Sequence, residues 1–126
     1  MALFSELPVY KIGYDLLIGI YKRTSNFSRE YKYTMGERLK NETTDLLVNI
    51  YKANKSKKET RLQYIDGARQ NVEVVRLLLR VCKDLKVIGL KGFVALNMRV
   101  EELSKQLTSW QKHTARAHAN EGKTGV

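Results

Sequence analysis

The side chains of this 126-residue chain best suited to chemistry are its cations. Arg69, Arg76, Arg80 and Lys83 fall within one segment, ARQNVEVVRLLLRVCK, which is otherwise rich in leucine and valine. Lys52, Lys55, Lys57, Lys58 and Arg61 crowd a second short stretch that holds a single acid, Glu59. A guanidinium grips phosphate oxygens in two-pronged fashion, and an ammonium adds a mobile point charge. What these groups offer is the binding of a polyanion. The balance of the whole chain agrees, because 23 basic against 13 acidic residues leave a net charge of +10. An excess of that size fits nucleic acid best among common partners.

Bond-making chemistry finds no comparable support. GYDLLIG lacks the Lys-Ser/Thr pair that completes a phosphate loop. Glu101 and Glu102 are adjacent, so on a helix they point apart and form no acid–base pair. His113 and His118 have no acidic or thiol companions at metal-ligand spacing. Cys82 sits on an apolar arc with no histidine nearby, which suits a packed thiol better than a nucleophile. Helical ribonucleases of the HEPN class need an arginine four to six residues before a histidine on one helix, and neither histidine here has one. The chain is expected to be no enzyme and to need neither cofactor nor metal.

These cations must be carried by helices. There is one proline, and the eight glycines fall mostly near segment ends. The apolar fraction of 43% suffices for one core in one domain. Punctuation and periodicity mark a first helix over about 8–24, with Pro8 in its opening turn. Val9, Ile12, Leu16 and Ile20 form one stripe of it; Tyr10, Tyr14, Leu17 and Tyr21 form another, read as packing rather than base stacking. A second helix spans about 30–54. Ser56 and Glu59 match a capping box, so the third is expected to start there and run to about Lys86. Gly89 and Gly92 in VIGLKG supply the next turn.

The fourth helix carries Phe93, Leu96, Val100, Leu103, Leu107 and Trp110 at alternating spacings of three and four, a heptad seam. Apolar patterning ends there, so the bundle domain is assigned to 1–112 and a flexible tail to 113–126. Short connections between long helices predict an antiparallel, up-down-up-down four-helix bundle. No signal peptide is apparent, and no apolar run approaches the roughly 20 residues that span a bilayer. A lone cysteine suits a reducing compartment, so a soluble, cytoplasmic protein without membrane contact is expected.

On a helical wheel, Lys83, Arg76, Arg69 and Arg80 fall within one narrow stripe about 60° wide. Apolar residues from Ala68 to Leu85 spread over roughly 220° of the remainder, about twice what one core needs. The excess predicts association, most simply with further copies of the chain. The cationic stripe is then expected to join others in a shared basic surface. The basic turn, Lys55, Lys57, Lys58 and Arg61 above all, is a second candidate contact with phosphates.

The segments LPVYKIGYDLLIGIYKRTSNFSREYKYTMGERLKNETTDLLVNIYKAN, RLQYIDGARQNVEVVRLLLRVCKDLKVIG and EELSKQLTSWQK resemble the Avd family. These are accessory proteins of bacterial diversity-generating retroelements. The similarity covers about residues 7–112; YKYTMGERLKN, VVRLLLRVCKDLK and the tryptophan of LTSWQK carry it best. It implies a four-helix bundle assembled as a homopentameric barrel with a basic surface. It implies as partners the retroelement's reverse transcriptase and template RNA or cDNA, in support of mutagenic retrohoming and without catalysis. It makes Arg76, Arg80 and Lys83 the contacts to expect, with Arg69 behind them. The related ribosomal-RNA intervening-sequence proteins share the bundle, and a structural role of that type without a polymerase is the alternative.

Overall fold

The computed structural model describes residues 7–124, with side chains described through residue 117. Within those limits four helices account for nearly everything. Helix α1 is Pro8–Thr24. Helix α2 spans 29–55, as a short α-turn Arg29–Tyr31, a π-helical turn Lys32–Gly36 and an α-helix Glu37–Lys55. Helix α3 is Lys58–Asp84, and α4 is Leu90–Thr124.

Each helix turns one stripe inward. Val9, Leu16 and Ile20 of α1 meet Leu39, Leu46 and Ile50 of α2, Val72, Val75 and Leu79 of α3, and Leu96, Val100, Leu103 and Leu107 of α4 in one core. These stripes advance by three, four or seven residues, spacings that keep a side chain on the same face of a helix. Around the ring, α1 packs on α2 and α4, and α3 packs on α2 and α4. Cross-helix pairs run in opposite senses. Asn49 meets Asn71 while Ala53 meets Arg61, and Arg69 meets Gln111 while Arg76 meets Glu101. The bundle is antiparallel, as the short connections predict.

The heptad seam of α4 is buried from Leu96 to Leu107, with Phe93 and Trp110 half-buried against the core at its ends. The helix does not stop where the apolar pattern does. It continues to Thr124, and Thr114 is buried. Residues 113–124 are thus helical where a patternless tail was expected. The last two residues of that tail, and the side chain of His118, lie outside the described residues.

Two connections depart from expectation. Ser56 does not cap α3; it is the C-cap residue of α2, and its hydroxyl donates to Lys52 O at 2.7 Å. The α2–α3 connection is too short for Ser56 to serve both helices, so the extended residue preceding α3 is Lys57. After α3, the left-handed residue is Lys86 (φ 60°), and no glycine takes positive φ among the described residues. The Lys86 N–H donates to Lys83 O at 3.0 Å, and the Val87 N–H donates to Cys82 O at 2.8 Å. That pairing is a Schellman closure, with half-buried Val87 folding back onto the core. A side chain in this conformation costs about 1 kcal/mol, which glycine does not incur. Lys86→Gly is expected to stabilise the protein by about 0.5–1 kcal/mol, read as a higher midpoint of thermal unfolding; an unchanged or lower midpoint would count against the closure.

Candidate nucleic-acid interface

The helix-three cations are brought to the seam between α3 and α4. Arg69, Arg76 and Lys83 lie seven residues apart, so they recur on one side of the helix, and each reaches α4. Arg69 Nη1 donates to Gln111 Oε1. Arg76 Nε donates to Glu101 Oε1 at 2.8 Å, and its Nη1 donates to Glu73 Oε1. The Lys83 ammonium stands 4.9 Å from the centre of the Phe93 ring and 4.0 Å from Asp84. The descending order Gln111, Glu101, Phe93 is what antiparallel packing dictates.

Arg76 is the most constrained of them. Its hydrogen bond to Glu73 raises its pKa; burial opposes this, and the bond to Glu101 adds to it. With its fork committed to two carboxylates, it has little left for a phosphate. Arg80 differs, since its side chain is 73% exposed and among the described residues pairs with Asp84 alone, at 3.9 Å. The stripe seen on the wheel thus divides: three cations flank the α3–α4 contact and one faces solvent.

The basic turn divides similarly. Arg61 is half-buried, donating from Nε to Ala53 O at 2.9 Å and from Nη2 to Asn54 O at 3.3 Å. It therefore satisfies carbonyls at the C-terminal end of α2, which have no intrahelical donor. Lys55 and Lys52 lie over the Tyr51 and Tyr64 rings. Lys57 is exposed, and Lys58 adopts a left-handed conformation (φ 48°) at the first position of α3. Of the tyrosines, Tyr10 is half-buried beside Tyr14, and the exposed Tyr21 ring carries the Lys40 ammonium 5.0 Å from its centre. Cys82 is buried in the core, and burial pushes its thiol up to about 11. Such a group stays protonated at neutral pH and is no nucleophile.

Packing also assembles a cationic cleft that no run in the sequence marks. Lys22 and Arg23 in the last turn of α1 come beside Arg99 of α4 along a cleft of about 330 Å³ floored by Gly19, Ala95 and Leu96. Arg99 meets Asp15 at 3.8 Å. A second hollow of about 240 Å³ adjoins Arg23 at the start of α4, between Asn26, Phe27, Ile88 and Gly92. The only hints in the sequence were the Lys-Arg pair at a helix end and the glycine at 92.

A family model described as bAvd-like matches residues 9–114. The chain belongs to the bAvd-like family. Among solved structures, this bAvd-like protein is similar to a crystal structure from Bacteroides thetaiotaomicron described as a protein of unknown function from the S23 ribosomal protein family. The TM-score is 0.76 at 17% identity, over 82% of this chain and 95% of that one, a likeness of fold. No curated protein sequence matches. None of the described helices is long and apolar enough to cross a membrane.

The seam geometry has a direct consequence for stability. Arg76→Ala is expected to lower the unfolding free energy by about 1 kcal/mol, a hydrogen-bonded ion pair discounted for partial exposure. Arg80→Ala should change it by less than about 0.5 kcal/mol. Denaturant titrations of the two variants check this, and equal effects would contradict the division of the stripe.

Proposed function

We propose that this bAvd-like protein is a non-enzymatic accessory factor of a diversity-generating retroelement. It holds the reverse transcriptase and the template RNA or cDNA together through its basic surface, in support of mutagenic retrohoming. The observation that carries the reading is the family match across residues 9–114 in a chain of net charge +10. Its part in the reaction is positional: rigid helices hold cations at fixed separations while the polymerase does the chemistry. Arg80 is the exposed cation of the first basic segment and Lys55, Lys57 and Lys58 are exposed in the second, and these serve as contacts. Arg76, Arg69, Lys83 and Arg61 hold the helices that present them.

The working form is a homo-oligomer, a pentamer by family resemblance. Leu90, Val94 and Met98 recur every four residues on α4, Leu77 lies on the second half of α3, and Leu85 is the residue that follows that helix. All five are exposed, Leu90 and Met98 by more than two-thirds. Such a cluster on the two helices that share a turn is apolar surface that association would cover. The S23-family neighbour fits the alternative, a bundle protein with a structural role and no polymerase partner.

Co-purification with the reverse transcriptase encoded beside the gene, read by light scattering, tests both points. The wild type is expected to elute with the polymerase at a mass of several 14.6 kDa chains. Leu90→Glu with Met98→Glu should reduce the protein alone to one chain. A wild-type protein that binds no polymerase would move the assignment to the intervening-sequence type, and a monomeric wild type would remove the oligomer.

A further inference from the structure

The cleft between α1 and α4 holds a cation whose donors the protein does not use. Arg23 Nε is buried and has no hydrogen-bond partner, and no described carboxylate forms an ion pair with its guanidinium. A buried donor left unpaired costs on the order of 1–3 kcal/mol, so native proteins tolerate few of them. Here the surroundings keep the guanidinium in place. A Cβ at Gly92 would lie 3.1 Å from Arg23 Nη1 and 3.4 Å from its Cδ, so glycine is what lets the head group lie across α4. Hollows open on both sides of it, one toward Lys22 and Arg99 and one toward Asn26 and the first turn of α4. The N–H groups of that first turn have no intrahelical acceptor and bring the positive end of a long helix to the same place.

Charge distinguishes this cleft from the helix-three stripe. Around the stripe, Glu73, Asp84 and Glu101 lie in contact with the cations. In the cleft, Asp15 is the one described acid, and it meets Arg99 alone. Lys22 is exposed at its rim and forms no ion pair among the described residues. The net positive charge is thus greater here, on fewer residues, beside an open hollow.

We propose that this cleft binds the phosphodiester backbone of a nucleic acid. Arg23 is the forked contact to phosphate oxygens, and Lys22 and Arg99 flank it. The inference rests on the reading that the protein works on nucleic acid, and it adds a site between α1 and α4 to the contacts on α3 and the basic turn. With contacts to phosphates and none to base edges, binding is indifferent to sequence. A nucleic acid is favoured over a protein carboxylate because its phosphates repeat along the strand, so that Arg23, Lys22 and Arg99 can meet neighbouring phosphates of one backbone.

The test uses fluorescence anisotropy with a labelled oligouridylate of about 20 nucleotides, over a range of salt. Lys22→Glu, at an exposed position whose side chain forms no ion pair among the described residues, should weaken binding several-fold. Lys22→Glu with Arg23→Gln should weaken it by about tenfold or more and flatten the salt dependence by about two phosphates. Either variant binding like wild type would overturn the assignment, and so would a wild type that binds no oligouridylate. Equal competition by polyglutamate of matched charge would overturn it too, in favour of an acidic protein. The outcomes separate from those of the accessory role. A protein that captures the polymerase yet ignores the oligonucleotide refutes the cleft alone, and cleft-dependent binding without a polymerase partner supports the cleft while refuting the role.

Discussion

Four apolar stripes that have only one another to bury against hold this molecule together. Each fully buried leucine, isoleucine or valine contributes about 1.5–3 kcal/mol, and more than a dozen of them face one core. Cations cannot follow them inside unpaired, because a buried charge without a partner costs more than a buried leucine returns. They must sit where a helix leaves the core, and there they meet the neighbouring helix. Arg69, Arg76 and Lys83, inside the most apolar helix, are the flanks of that helix's contact with α4. Their spacing of seven is the repeat of the contact itself.

The core was readable for the same reason. Leu96, Val100, Leu103 and Leu107 declare a buried face by period alone, and periodicity is a local property of the chain. The partners of the cations were not readable, since they depend on the register of one helix against another. Glu101 is 25 residues from Arg76 and looks unremarkable in the sequence; antiparallel packing puts it 2.8 Å from the guanidinium. Arg23 and Arg99 are still farther apart, so no charge run announces their cleft. Local signals also misled where two elements competed for one residue. Ser56 has the composition of a capping box for α3 but is already the end of α2. Beyond Asp84, Gly89 lies in the connection but Gly92, also expected there, falls inside α4, and Lys86 takes the left-handed position because the Schellman pairing fixes which residue must reverse the chain.

A bundle built this way suits a protein that positions other molecules. Its helices are long and tied at their seams by Arg76, Arg69 and Arg61, so the outward charges are held by a stiff frame. Stiffness reduces the ordering cost of binding, which is how a modest set of cations can hold a flexible polyanion. The same frame leaves apolar side chains on the outer faces of α3 and α4 and a cationic cleft between α1 and α4. Association and polyanion binding can then occupy different sides of one small domain. The division is physical: the apolar surplus lies on the outer faces of α3 and α4, and the uncompensated charge lies where glycines and an alanine thin the packing.

The measurement that tests this most directly is lysine acetylation of the free and RNA-bound protein, read residue by residue by mass spectrometry. Lys22 is expected to lose most of its reactivity when RNA is bound, while Lys83, held against Phe93, reacts alike in both states. Protection of Lys83 with Lys22 unchanged would return the interface to the third helix and contradict the assignment of charge to seam and cleft.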